Sequence, residues 1–400
     1  MGGTLRSAGK TDAAFALLLR LCAEAAPHGP PSRAVTAAVD AAGSVQDWEH
    51  FLRLVGRHRV YGLVHAVLQR APGRVPATVR EAVGRKAGAQ ARHNLAMAAA
   101  TIRLQHLLEQ AGIEAVFFKG AALGQRAYGS LAVKHGKDID FLVSPDVLGP
   151  LFELLLREGY EPVYPRPPLT PAKIDALRAF QMEAVLVDPR RGVQLEPHWR
   201  LTENRRLLPL GPLLAAAGKW ESLAGVPLRV FHPDDQFAYL CVHGARSGWF
   251  RLKWLADLHA LLAGAPEAEL LRLYRHARAR GAGPSAVLAF GLCRDLFGLP
   301  LPPSIVTAAD TRLQRAMRGL CRAILDDADP QFSPRRVVVL PMLHALAFGS
   351  GHVTAELMRW TVNCQDALDV PLPRRLYFLY PVLRLPLFLG RRLRRKGSAG

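Results

Sequence analysis

A chain of 400 residues that is half hydrophobic and about a fifth charged has enough apolar material to bury two or three domain cores, the make-up of a soluble globular protein. Its five cysteines are widely spaced and form no CxxC pair, which argues against a zinc site or a disulfide framework and points to a reducing cytoplasm. The formal charge of +19, from 52 basic and 33 acidic residues, favours nucleotides, nucleic acid or an acidic membrane surface as partners; a GC-rich coding bias, raising Ala, Arg, Gly and Pro together, would give the same excess.

Residues 11 to about 110 read as helical, broken by the loops PHGPPS and APGRVP. The early stretch FALLLRLCAEAA is interrupted by Arg20 and Glu24 and reads as an amphipathic helix, not an export signal. The long Ala/Leu-rich segment ARHNLAMAAATIRLQHLLEQ ends before Gly112, a suitable stop. The pattern then changes. EAVFF (114–118) predicts a strand, KGAALGQRAY turns into a helix, and Asp138 to Val143 predicts a second strand. A helix over 146–159 and a short strand at YEPVY follow. FQMEAVLVD (180–188) and GVQLEPHWRL (192–201) form a predicted hairpin around DPRRG. From about 206 the reading is helical almost to the end. No run reaches the roughly 20 apolar residues that span a bilayer. The expected architecture is α+β, a small mixed β-sheet core flanked by helices. Its expected boundaries are an N-terminal helical region over 1–110, a catalytic core over 111–205, a helical domain over 206–375 and a basic apolar tail over 376–400.

The second strand carries the chemistry. In an extended strand, Asp138 and Asp140 share one face with Cβ atoms roughly 6–7 Å apart, while Ile139, Phe141 and Val143 point to the core. Two carboxylates so placed can share a pair of divalent ions about 3.5–4 Å apart, the arrangement of two-metal phosphoryl-type transfer, with Mg²⁺ as the natural ion. Without a cation they repel. A third acid is expected on the VQLEPHW strand, where Glu196 and His198 share the polar face; Glu183 is the reserve. Glu196 would bind metal and help deprotonate an attacking hydroxyl, and His198 would contact the acceptor. Pro197 cannot donate a ladder hydrogen bond, which marks that strand as an edge or as bulged. Upstream, Lys119 and Gly120 stand at a strand-to-helix junction, where glycine admits close backbone approach and helix N-terminal amides face an anion.

Taken in order, FFKGAALGQRAY, GKDIDFLV and VQLEPHWRL resemble the uncharacterised nucleotidyltransferases, a family of the DNA-polymerase-β-type nucleotidyltransferase superfamily. The resemblance covers roughly residues 40–290 and extends through HPDDQFAYLCVHGARSGWFRLKWLADLHALL (232–262). It implies Gly120 at the helix start, Asp138 and Asp140 as metal ligands and Glu196 as the third acid. Lys119-Gly120-Ala121 stands where the superfamily usually has Gly followed by Ser or Gly, and Lys134 stands four residues before the first Asp, where an arginine is usual. The implied activity is Mg²⁺-dependent transfer of a nucleoside monophosphate from an NTP, ATP foremost, to a hydroxyl acceptor, in a biosynthetic tailoring role. Lys253, four residues from Asp257 on a helix, reads either as a surface salt bridge or as a triphosphate contact alongside Arg251. His243 reads as a helix-end or core histidine. The alternative function is a non-catalytic basic binding protein of the same fold, although no nucleic-acid recognition signature is present. The tail, apolar and then basic at Arg391, Arg392, Arg394, Arg395 and Lys396, reads as a packed helix with a frayed end or as a weak anchor to an anionic membrane surface.

Overall fold

The computed structural model describes residues 12–25, 37, 39, 41–70, 74–325 and 364–397. The loop PHGPPS and the stretch 326–363, read from sequence as helical, lie outside them. The described residues form a helical body around one mixed seven-stranded sheet, an α+β architecture. Its strands are β1 (Ala115–Phe117), β2 (Ile139–Val143), β3 (Glu161–Tyr164), β4 (Val185–Asp188), β5 (Val193–His198), β6 (Gly218–Leu223) and β7 (Val226–Val230), in the order β3-β4-β5-β2-β1-β7-β6.

The centre is hydrophobic on both faces. All five residues of β2 are buried, as expected of a strand covered on two sides. Phe117, Ile139, Phe141 and Val143 pack with Leu104, Leu151 and Leu155. Val116, Phe118 and Leu142 go to the other face, against helices from both ends of the sequence. Alternation thus places Asp140 on the face of Leu142. β1 runs antiparallel to β2 and β5 runs parallel to it, with Asp140 opposite Glu196 in register.

The sheet is larger than the sequence reading made it. The hairpin of β6 and β7 falls where only helices were expected, and β7 joins β1 in parallel at Phe117 and Val230. Its alternating residues were masked by the short strands and by the surrounding helical segments. Buried Gln105 fixes β7 to the 34-residue helix Ala77–Gln110, donating to Pro227 O at 2.9 Å and accepting from Arg229 N at 3.0 Å. The stretch 180–188 is strand only from Val185, because Phe180 ends the helix Pro171–Phe180.

Pro197 is not on an edge, since β5 lies between β4 and β2. The ladder is nevertheless irregular there. Pro197 O accepts from Ala184 N at 3.1 Å, and beyond it only an isolated Glu183–His198 bridge continues the pairing. A residue's N and O face the same neighbouring strand, so the missing N–H falls where β4 has left its regular ladder.

Candidate active site

Four segments converge on Asp140: the β1-to-helix junction, β2, β5 and the helix Pro233–Arg246. Asp140 is 2% exposed, and its Oδ1 accepts from Lys119 Nζ at 2.7 Å and lies 3.2 Å from His198 Nε2. Its Oδ2 is buried without a partner. Burial alone would push this carboxyl up, but Lys119 and the hydrogen bond from His198 outweigh it and hold it well below the usual carboxylate range. The reverse holds at Lys119, where burial against Phe118 and Tyr239 is outweighed by Asp140. Lys119 is therefore a partner of the acid and not a solvent-facing cation.

Glu196 differs. Burial, followed by the charges of Asp140 and Asp138, pushes its carboxyl up to about 7. Gln194 donates to its Oε1 at 2.6 Å. His198 bridges the acids, its Nδ1 lying 3.1 Å from Glu183 Oε2. One ligand atom from each of Asp140, Glu196 and His198 falls within 4.8 Å of the others. Two carboxylates with an unpartnered buried oxygen suit a hard divalent cation, which takes oxygen ligands. Asp138 is not in the strand; it sits at a bend one residue before β2, half-buried, with its charge felt by both Glu196 and Lys253.

The helix start is built as its residues suggest. Gly120 has φ +58°, and a Cβ there would lie 3.4 Å from Asp138 O, so this position combines a left-handed backbone with a close approach. The recess lined by Gly120, Gly124, Lys134, Gly136, Asp138 and Asp140 has only about 20 Å³ of room, enough for a water or an ion. The larger opening lies on the other side of Lys119. It is a polar cleft of about 380 Å³ lined by Glu183, Glu196, His198, Arg200, Tyr239 and Arg246, among others.

Lys134 and Lys253 meet beside the recess. Lys134 Nζ lies 3.7 Å from Asp257 Oδ2, and Tyr128 OH donates to the same carboxylate at 3.0 Å. Asp257 is thus paired with Lys134 and not with Lys253, the i,i+4 neighbour. Burial, then the charges of Lys134 and Arg59, push the Lys253 ammonium down to about 7, with Asp257 and Asp138 only partly offsetting them. Arg251 turns away, donating to Arg57 O at 2.7 Å. His243 lies among aromatic rings, 5.7 Å from Tyr239 and 5.2 Å from Trp254 between centroids, and burial pushes it well down.

Two residues that support this site escape a motif reading. Buried Asn94, in the long helix, donates to Ala132 O at 3.2 Å and Lys134 O at 2.6 Å and accepts from Gly136 N at 3.4 Å, fixing the loop before Asp138. Its only sequence signal is an amide in an alanine-rich helix. Tyr239 covers Lys119 and carries no signal beyond its helical spacing.

A family model described as uncharacterised nucleotidyltransferase matches residues 44–298, which span β1 to β7 and the helices after them. The chain is also similar to a uroporphyrinogen decarboxylase of Leifsonia xyli subsp. xyli (strain CTCB07), 31% identical over 180 residues. That match takes in 41% of this chain and 46% of the relative, so the chain spans less than half of that protein's length.

Proposed function

The chain belongs to the uncharacterised nucleotidyltransferase family, and from that premise we propose that it moves a nucleoside monophosphate from an NTP to a hydroxyl acceptor. The observation that carries this reading is the pairing of Asp140 with Glu196 on adjacent parallel strands, one acid ionised with a free oxygen and the other poised near neutrality. Asp138, Asp140 and Glu196 are the residues that would hold Mg²⁺, which would supply charge neutralisation at the transferring phosphorus when bound.

Each residue of the chain then has a part. Lys119 and His198 fix the Asp140 carboxylate. Glu196 would take the proton of the acceptor hydroxyl as its oxygen bonds to the α-phosphorus and pyrophosphate leaves. Gly120 lets the backbone approach, and Lys253 with Lys134 supplies positive charge for the phosphates. His198 and Glu183 face the cleft where the acceptor would enter. ATP is the nucleotide we propose, and the cytoplasm is the compartment that ATP and five free buried cysteines suit. The last helix, Tyr380–Gly397, is too short of apolar length to cross a membrane, but Phe378, Val382 and Leu385 are exposed on or beside it. Followed in sequence by five cations, this face suits weak attachment to an anionic lipid surface.

Calorimetry of ATP binding with and without Mg²⁺ tests the proposal. Binding to wild type should need the metal and vanish in Asp138→Ala/Asp140→Ala. The single variant Asp138→Ala, away from the Lys119 pair, should keep the fold and lose at least tenfold in affinity. Metal-independent binding, or none to folded wild type, would favour the basic binding protein.

A further inference from the structure

Beside the polar cleft lies a second cavity of about 510 Å³, the roomier of the two. The two share Arg200 and Leu201 in their walls. The second has a different chemistry. Arg178, Arg200, Arg205 and Arg374 line it, and no carboxylate does. Arg178 and Arg374 share Asp175 from outside the lining, at 3.0 and 3.4 Å. Arg200 spends Nη2 on the carbonyls of Ala179 and Gln181, at 3.0 and 2.6 Å, and its Nε is buried without a partner. Arg205 is exposed and makes no ion pair among the described residues. Four guanidinium charges against one carboxylate leave an excess of three positive charges around the cavity.

The rest of the lining is mostly apolar, with Thr202 and Asn204 as its polar members. Trp199, fully buried, forms part of the wall with its indole Nε1 unpartnered. Leu208 and Leu213 are buried, and Tyr377 closes one side. Leu208 has φ +54°, a left-handed conformation that costs a branched residue roughly 1–2 kcal/mol and is held by its N–H donating to Arg280 O at 3.0 Å. A chamber of this size lined by four arginines, Arg205 among them free of any ion pair among the described residues, by no carboxylate, and by leucine, tryptophan and tyrosine side chains suits an anion with a hydrophobic body.

We propose that this cavity holds the body of the acceptor, and that the acceptor is an anionic molecule of apolar or aromatic bulk carrying the reacting hydroxyl. The role as acceptor pocket rests on the nucleotidyl-transfer reading; the ligand class rests on the cavity alone. Because the cavity shares no lining residue with the recess of Gly120, Asp138 and Asp140, filling it leaves those residues open to the nucleotide and its metal.

The test uses 2-naphthoate and its neutral isostere 2-naphthamide as probes, titrated calorimetrically into the full chain. Naphthoate should bind at least tenfold more tightly than naphthamide. Arg205→Glu/Arg374→Glu, both at exposed positions, should lose at least tenfold in naphthoate affinity with an unchanged melting temperature. Saturating ATP with Mg²⁺ should leave naphthoate binding within about threefold. Equal binding of the two probes, or full binding by the double variant, would overturn the ligand class. Displacement of naphthoate by ATP would overturn the acceptor role. Asp140→Asn separates the two proposals: naphthoate binding should persist in it, and loss of ATP binding there bears only on the transfer site.

Discussion

Replacing Lys119 by methionine removes one half of a buried ion pair and keeps most of the apolar stem. The Asp140 side chain is 1% exposed and that of Lys119 22%, so the carboxylate cannot recover its loss by turning to water. Truncating one partner of a buried pair costs about 3–5 kcal/mol. Here His198 remains 3.2 Å from Asp140, and Lys119 is partly open, so the low end applies, about 3 kcal/mol. In a chain of this size that lowers the melting temperature by about 3–6 °C. Asp140→Asn alone leaves the ammonium without its acid and should cost about 2 kcal/mol, while the double variant Lys119→Met/Asp140→Asn should cost less than the sum by at least about 1 kcal/mol. The sign with pH also follows. The Asp140 carboxyl is depressed in the fold, so its contribution is full above its unfolded value of about 4 and is lost as pH falls through the folded value. The gap between wild type and Lys119→Met should therefore be full at neutral pH and begin to narrow as pH falls below about 4. Thermal and urea unfolding of the four proteins at pH 7 and at about pH 3.5 measures all of this. A Lys119→Met protein as stable as wild type at pH 7, or strictly additive single variants, would refute the claim that this pair compensates the buried acid.

Three further outcomes are expected. Gly120→Ala places a Cβ 3.4 Å from Asp138 O on a left-handed backbone, so it should cost about 1–2 kcal/mol and weaken ATP binding more than a surface glycine change does; a neutral effect on both would remove Gly120 from the site. Lys253, held near 7 by burial, destabilises the fold below that pH and ceases to do so as pH rises toward its unfolded value near 10. Inorganic tripolyphosphate should therefore bind more weakly as pH rises from about 6.5 to about 8.5, with proton uptake visible as a buffer-dependent heat, and a pH-independent affinity would exclude Lys253 as a phosphate contact. Val382→Asp/Leu385→Asp should lose flotation with phosphatidylserine liposomes while Tyr380, buried and bonded through its hydroxyl to Val370 O and Leu372 N, keeps the helix base in place; equal flotation would rule out the apolar face as an anchor.

The juxtaposition of Asp140 and Glu196 was legible because period-2 alternation decides which side of a strand a residue occupies, and because β5 lies against β2 with Glu196 level with Asp140; Asp138, one residue before the strand, falls outside that alternation. The strand order itself was not legible. Nothing local to Pro197 distinguishes an edge from an interior strand whose neighbour breaks its ladder. The β6–β7 hairpin was lost for a related reason: β7 touches the sheet at one register pair, and its attachment depends on Gln105, about 120 residues earlier in the chain. Lys119 was read as a cation for phosphate because a spacing argument cannot show that its nearest anion belongs to the protein. The preference of Asp257 for Lys134 over its helical neighbour Lys253 is likewise a tertiary choice. The second cavity draws its four arginines from three separate segments, two of them about 170 residues apart, so no window of sequence contains it.

The chain of ring contacts beside the site also has an optical meaning. From Phe118 through Tyr239 and His243 to Trp254, successive centroids are 4.9, 5.7 and 5.2 Å apart, and the Lys253 ammonium lies 6.0 Å from the Trp254 ring. Indole emission responds to a nearby charge, so engagement of that ammonium by an anion should change the colour and yield of Trp254. With six tryptophans in the chain, the difference spectrum against Trp254→Phe isolates this one. The fold thus places a native fluorophore against His243, one residue back from the polar cleft, so the proposed occupancy would be followed without a label, a coupled assay or knowledge of the acceptor.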